Sequence, residues 1–142
     1  MRCPEEWALH EIFRAGEHLS SRFNAALKPS GVSFTQYNAL RILQGEKDGL
    51  PSTAIGERMV SRDSDVTRLM DRLVKRGLVE RERDPQDRRI VRVRLTAAGL
   101  ALVEHLEESM LEVTRHSFAG VKAKRLRRLI EVLLQIQNDA GD

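Results

Sequence analysis

The sequence of 142 residues predicts a mainly α-helical fold with one small β-hairpin. Over most of the chain, apolar residues recur at the three- and four-residue spacing of a helix with one apolar face. Residues 90–95 alternate instead, as in a strand with one solvent-exposed, basic face. Val91, Val93 and Leu95 lie on one side, and Ile90, Arg92 and Arg94 lie on the other. A content of 41% hydrophobic and 32% charged residues favours a soluble, helix-rich single domain over a disordered or membrane chain.

Local signals bound the first three helices. The first is predicted over about residues 5–27 and ends in Lys28-Pro29-Ser30-Gly31, where proline and glycine stop a helix. Ser33 and Gln36 have the spacing of a capping box and begin the second helix, which residues 45–49 close. Leu50-Pro51-Ser52 opens a short third helix through about Met59.

The fourth helix is predicted to run from an N-cap at Ser61 to Arg76, with Gly77 as its stop. Its inner stripe is expected to contain Val66, Leu69, Leu73 and Val74. The side chains left for the outside are Arg62, Asp65, Thr67, Arg68 and Arg72.

The hairpin pairs residues 90–95 with about residues 78–83. They are joined by Asp84-Pro85-Gln86-Asp87, a composition that suits a type I turn with proline at its second position. Thr96 is the expected N-cap of a long helix, which should bend or break near Gly120 before a last amphipathic helix.

The terminal helices carry apolar stripes that a lobe of this size does not obviously cover. Stripes of that kind usually bury against a second copy of the chain, and the alternative is that they fold back on their own lobe. We therefore expect a compact lobe over residues 33–99, flanked by dimerisation helices at 5–28 and 100–138.

The positive charge is confined to one segment. Residues 58–94 hold twelve of the 24 Lys and Arg residues and seven acids, a net of +5, whereas each flank has six cations and seven acids. A basic patch limited to a helix and a hairpin is typical of a protein that binds nucleic acid. A solvated charged surface is the alternative, but the acidic flanks weaken it.

A short helix, a tight turn and a second helix suit an element whose second helix enters the DNA major groove. The residues expected near the base edges are Arg62, Asp63, Ser64, Asp65, Thr67, Arg68 and Arg72. Asp65 has a second interpretation, in which it holds a neighbouring arginine in its working rotamer. At the hairpin loop, Asp87, Arg88 and Arg89 place two guanidinium groups where a narrow A·T-rich minor groove would attract them.

Other classes of protein find little support in the sequence. No apolar run approaches the roughly 18 residues of a membrane span and no signal peptide is evident, so a cytoplasmic protein is expected. No phosphate loop or catalytic arrangement is present, so neither an enzyme nor a cofactor is expected. His105 and His116 would lie about 16 Å apart along a helix, and His10 and His18 about 12 Å, so neither pair can share a metal ion.

The combined motifs make the chain similar to the multiple-antibiotic-resistance regulator (MarR) family of winged helix-turn-helix transcription factors. The matching segments are Val66-Thr67-Arg68-Leu69, Asp71-Arg72-Leu73, Lys75-Arg76-Gly77-Leu78-Val79-Glu80-Arg81, Asp84-Pro85-Gln86-Asp87-Arg88-Arg89 and Leu95-Thr96-Ala97-Ala98-Gly99. The resemblance implies a homodimer with interlocked terminal helices that binds double-stranded DNA at a pseudo-palindrome, usually as a repressor. It also implies that Arg89 enters the minor groove with Asp87 bracing it.

The resemblance leaves the controlling signal open. A small aromatic or phenolic ligand between the dimer helices and the lobe is one possibility, with Trp7, His10, Phe13, Arg14 and Tyr37 as candidate liners. Core or interface roles for Trp7 and Phe13 are the alternative. Redox control through the single cysteine, Cys3, is a further one, although Tyr37 is the only tyrosine that could support a thiolate. An architectural protein that binds all DNA alike is the competing function.

Overall fold

The computed structural model describes residues 3–60 and 65–138, which form a mainly helical fold with a small antiparallel sheet. The helices in these ranges are α1 (Pro4–Leu27), α2 (Phe34–Leu43), α3 (Ser52–Arg58), α4 (Val66–Lys75), α5 (Ala97–Ser117) and α6 (Ala123–Asn138). The strands are β1 (Leu50–Pro51), β2 (Val79–Arg83) and β3 (Val91–Leu95). The predicted fold class is confirmed.

The predicted helix boundaries depend on caps that are present in the structure. The Ser33 hydroxyl accepts from the Gln36 amide at 3.1 Å, and the Gln36 side chain accepts from the Ser33 amide at 2.9 Å. The Thr96 hydroxyl accepts from the Gly99 amide at 3.1 Å at the start of α5. Gly120, with a φ of 82°, separates α5 from α6.

The predicted start of the fourth helix was wrong. α4 begins at Val66, and its N-cap is Asp65, whose carboxylate accepts from the Arg68 amide at 3.0 Å. Asp competes well as an N-cap because its carboxylate satisfies an amide that has no partner within the helix. Ser61, the predicted cap, lies outside the described residues.

The predicted inner stripe of α4 was wrong at one position. Met70 is fully buried, whereas Val74 is 36% exposed. At about 100° per residue, Met70 lies about 40° from Val66 around the helix, and Val74 lies about 80° away. Val74 therefore sits at the edge of the buried face, and Met70 completes the stripe with Leu69 and Leu73.

The sheet has the order β1-β3-β2, so β3 is central. The β2–β3 hairpin is confirmed, with Val79 opposite Leu95 and Arg83 opposite Val91. Strand β1 was not predicted, because two residues are too short to show alternation. Gly49 precedes it with a φ of 71°, and a Cβ there would lie 2.9 Å from the carbonyl carbon of Val93. Glycine is needed at this close approach.

The hairpin loop differs in detail from the predicted turn. Residues 84–87 are held by a side chain: the Asp84 carboxylate accepts from the backbone amides of Gln86 at 2.8 Å and Asp87 at 3.0 Å. The turn with a backbone hydrogen bond comes three residues later, where the Ile90 amide donates to the Asp87 carbonyl at 3.0 Å.

The hydrophobic core lies between the end of α1, helices α2–α5 and the sheet. Its fully buried side chains include Leu27, Leu40, Leu43, Ile55, Met70, Leu73, Val93 and Val103. The ends of the chain contribute little to it, since no described side chain of α6 is buried and the N-terminal half of α1 is exposed. Among the described helices, none is both long and apolar enough to cross a membrane.

Candidate nucleic-acid interface

Helices α3 and α4 form the helix pair that the sequence predicts. Asn38 of α2 fixes the chain after α3, because its side-chain oxygen accepts from the Val60 amide at 2.9 Å. The buried side chains of α4 point its opposite face outward, where Thr67, Arg68 and Arg72 are exposed. Of the other predicted base-edge residues, Arg62, Asp63 and Ser64 lie outside the described residues.

Asp65 holds the start of this outward face in place. Besides capping α4, its carboxylate contacts the Nε of Arg68 at 3.1 Å. An arginine that binds a carboxylate through one edge keeps a defined orientation, and the outer Nη donors remain to face a ligand. The geometry therefore fits the interpretation of Asp65 as a residue that orients a neighbouring arginine.

The tip of the hairpin presents Arg89. Its side chain is 90% exposed, and Asp87 holds it through two bonds, Nε to Oδ1 at 3.0 Å and Nη2 to Oδ2 at 3.1 Å. The same carboxylate accepts from the Arg89 backbone amide at 3.1 Å. Hydrogen bonds from the Arg89 side chain and amide lower the pKa of Asp87, and Asp87 raises the pKa of Arg89. Both groups are therefore charged at neutral pH.

A second carboxylate, Asp84, builds the base of the hairpin loop. It accepts from the Arg92 Nε at 2.6 Å, and Arg92 also donates to the Gly49 carbonyl at 3.2 Å. The Arg92 bond, followed by the backbone amides of Asp87 and Gln86, lowers the pKa of Asp84 to about 2. The sequence predicts Asp84 as the first residue of a turn, where an Asp commonly bonds the amides two and three residues on, but it does not predict the bond to Arg92.

The described cations of the basic segment divide into three groups. Arg76 and Arg83 donate to backbone carbonyls, Arg76 to those of Gly31 and Ser30 and Arg83 to that of Arg88. Arg58, Arg68, Arg81, Arg89, Arg92 and Arg94 are ion-paired to acids of the described chain. Arg72, Lys75 and Arg88 form no ion pair with any residue in the parts of the chain that the structure describes. Ion pairs thus hold several of these cations in place, and the cations that bond to no acid or carbonyl of the described residues lie on α4 and at the hairpin tip.

The candidate ligand residues are only partly brought together. Buried Tyr37 lines a hollow of about 220 Å³ between α2 and α5, together with Arg41, Glu107, Met110, Leu111 and Thr114. Trp7, His10, Phe13 and Arg14 instead lie on the exposed half of α1 and do not line this hollow within one chain. Cys3 is exposed at the N-cap of α1. Within residues 3–60 and 65–138, no three metal-ligating side chains cluster.

A helix pair with an exposed second helix, followed by a β-hairpin with an arginine at its tip, defines a winged helix-turn-helix DNA-binding fold; the β2–β3 hairpin is its wing. Comparison with known proteins narrows this class. A family model described as "MarR family" matches residues 30–90. The chain belongs to the MarR family of winged-helix transcription factors.

Three similar proteins illustrate this relationship. The transcriptional regulator HosA from Escherichia coli O111:H- is 32% identical over 130 residues, 89% of this chain and 94% of HosA. The transcriptional repressor IacR from Pseudomonas putida is 26% identical over 132 residues, 91% of this chain and 78% of IacR. A crystal structure of mutant MarR from E. coli complexed with operator DNA has a TM-score of 0.81 at 24% identity, covering 89% of this chain and 91% of that one.

Proposed function

We propose that this protein is a homodimeric, sequence-specific regulator that represses transcription from a pseudo-palindromic operator. The observation that supports this function best is the Asp87-braced, exposed guanidinium of Arg89 on the wing that follows α4. A DNA-binding role fits that geometry, because an arginine side chain already fixed by two hydrogen bonds loses less conformational entropy when it enters a DNA groove.

In this proposal the two elements read different grooves. The exposed face of α4 enters the major groove, where Arg68 can donate two hydrogen bonds to a guanine and Thr67 can contact a thymine methyl. Arg89 enters the flanking minor groove, whose narrow A·T-rich form has the stronger negative potential. Arg72 and Lys75 contact phosphates, which adds affinity without sequence preference.

The apolar faces of the terminal helices support a dimer. Trp7 and Phe13 on α1 are 61% and 69% exposed, and Ile130, Leu134 and Ile136 on α6 are also exposed. Exposed apolar surface of this extent marks an interaction site, and a second copy of the chain would supply the matching surface. A two-fold dimer would place two α4 helices in successive major grooves, so the half-sites should lie about 10 bp apart.

The proposed repression would be relieved by a small ligand. IacR, which is similar over most of the chain, is named a repressor. The hollow beside Tyr37 is small enough to suit a phenolic acid, whose hydroxyl and carboxylate could bond to polar groups such as Arg41 and Thr114. Trp7, His10, Phe13 and Arg14 would then reach that hollow from the partner copy. A panel of phenolic acids added to the protein–DNA complex tests this, since a true effector should release the DNA.

A non-specific architectural protein is the second candidate, favoured by the unpaired cations on α4 and the wing. A redox regulator acting through Cys3 is the third, and oxidation should then release the DNA in wild type but not in Cys3→Ser. We propose no enzymatic role, and we expect the protein to act in the cytoplasm.

Fluorescence anisotropy at two salt concentrations separates the first two candidates. The protein is titrated against DNA from beside its own gene and against a scrambled duplex of equal length. A specific regulator keeps the native DNA as salt rises and loses the scrambled duplex. Equal and salt-sensitive loss of both duplexes would count against the proposed function.

A further inference from the structure

Arg81 joins the wing to α4. It lies on β2, and its Nη1 contacts the Asp71 carboxylate of α4 at 2.6 Å. Its Nη2 also donates to the Thr67 carbonyl of α4, with a longer distance of 3.4 Å. Thr67 and Asp71 are four residues apart and lie on one side of the helix, so a single guanidinium spans a full turn of α4.

The register of the sheet explains why Arg81 reaches α4. Val79 and Arg81 are two residues apart on β2 and therefore face the same side of the sheet. Val79 is buried in the core, and Arg81 stands opposite the buried Val93. Arg81 thus lies on the inner face of the sheet at the edge of the core, where its side chain contacts α4.

Asp71 is unexpected on a helix that faces DNA. Its neighbours on the exposed side are Arg68, Arg72 and Lys75, and a free carboxylate among them would repel phosphates. The pair with Arg81 gives the carboxylate a mechanical role instead. The same pair occupies the Arg81 guanidinium, which is only one-third exposed and points at α4.

We propose that the Asp71–Arg81 pair fixes the angle between α4 and the wing, so that the major-groove contacts of α4 and the minor-groove contact of Arg89 form together. Arg81 is then a positioning residue and Asp71 its anchor. This inference rests on the proposed function, because the angle matters only if both elements bind one DNA site.

Asp71→Asn distinguishes a positioning role of Asp71 from the effect of its negative charge on DNA binding. The substitution removes a negative charge next to DNA, so charge alone predicts tighter binding to every duplex. Loss of positioning predicts weaker binding to the native DNA, by roughly 10-fold, with the scrambled duplex unchanged or bound slightly more tightly. Anisotropy with both duplexes measures the difference, and the thermal unfolding midpoint shows that the variant is folded.

Glu80→Gln is the matched control. Glu80 also lies on β2, is paired to an arginine (Arg94, at 2.7 Å), and has the same side-chain exposure as Asp71, 49%. Among the described residues its side chain forms no ion pair or hydrogen bond with α4, and Arg94 keeps a second partner in Glu82 at 3.3 Å. We expect Glu80→Gln to bind the native DNA as tightly as wild type or more tightly.

The link to Arg89 gives a second readout. In wild type, Arg89→Ala should weaken native-site binding; in the Asp71→Asn background the additional loss should be several-fold smaller, because the wing is no longer held over the minor groove. Specific binding by wild type that Asp71→Asn leaves unchanged or strengthens would overturn this inference alone. Failure of wild type to discriminate the native from the scrambled duplex would overturn the proposed function and this inference with it.

Discussion

Replacing Gly99 with alanine tests how the wing is attached to α5. Gly99 lies in the first turn of α5 and is buried against the start of the wing. A Cβ at this position would lie 3.0 Å from the carbonyl carbon of Leu78, with the carbonyl oxygen nearer still, and 3.1 Å from the Cδ2 of Leu95. Carbon atoms pack at about 3.5–4.0 Å, so the Leu78 carbonyl must withdraw by about 1 Å.

The cost of that movement can be worked from the contacts that it breaks. The Leu78 carbonyl accepts from the Thr96 amide at 3.1 Å, and the loss of this hydrogen bond costs about 1 kcal/mol. Displacing the buried Leu78 side chain adds overpacking strain of about 2 kcal/mol. We expect Gly99→Ala to lower the free energy of unfolding by about 3 kcal/mol, which shifts the urea midpoint by about 1.5 M.

Urea unfolding followed by circular dichroism measures this shift, at one protein concentration because the stability of the proposed dimer would depend on concentration. Ala98→Ser is the control: it also adds one heavy atom, but to an exposed neighbour in the same turn, and should change stability by less than about 0.5 kcal/mol. A Gly99→Ala variant as stable as the control would refute the argument that glycine is required by the close approach of Leu78.

Three further outcomes are expected. Arg89→Ala should weaken binding by about 10-fold at operators with A·T-rich flanks and less at G·C-rich flanks, whereas Arg68→Ala should relax base preference within each half-site; equal binding by both variants and wild type would show that the roles are misassigned. The pKa of Asp84 is lowered from 3.8 to about 2, so its stabilising contribution is complete above about pH 4 and is lost as the pH falls towards 2. The difference in urea midpoint between wild type and Asp84→Asn should therefore be larger at pH 5 than at pH 2. An equal difference at the two pH values would argue that the ionised Asp84–Arg92 pair does not stabilise the fold. If the protein is the proposed dimer, Ile130→Glu should convert it to a monomer in analytical ultracentrifugation, because a charge then lies on the exposed apolar face of α6. A wild-type dimer that Ile130→Glu leaves intact would show that this face is not the contact, and a monomeric wild type would contradict the proposed dimer.

Local patterns were sufficient to predict most of the fold. The Ser33–Gln36 capping box, the Thr96 cap and the Gly120 break each depend on residues within four positions of one another, and each is present. The alternation of residues 90–95 likewise predicted β3 and its pairing with β2. Elements defined by short-range geometry can be read from a single sequence because the information is contiguous.

The contacts that position the interface depend on residues distant in sequence. Arg81 meets Asp71 ten residues away, and Arg92 bonds to Gly49, 43 positions away. No periodicity in the sequence marks such pairs, because residue type alone does not show whether an arginine is paired within the chain or free to bind a ligand. The sequence therefore located the basic segment but did not separate the cations that pair with acids of the chain from those that form no ion pair with the described residues.

The boundary errors have a similar cause. Asp65 and Ser61 are both good N-cap residues, and only the backbone path decides which of them begins the helix. Val74 and Met70 are both apolar, and the angle around the helix from Val66 places Met70 nearer the middle of the buried face. Propensity narrows such choices to two candidates, and the neighbouring elements select one.

A DNase footprint on the DNA beside the protein's own gene tests the central claim most directly. If the protein is a two-fold regulator that binds through α4 and the Arg89 wing, it should protect one short pseudo-palindrome with half-site centres about 10 bp apart and extend the protection into the flanks. Arg89→Ala should lose the flanking protection first. Uniform protection along the fragment, or none at protein concentrations that shift the scrambled duplex, would contradict sequence-specific recognition by this fold.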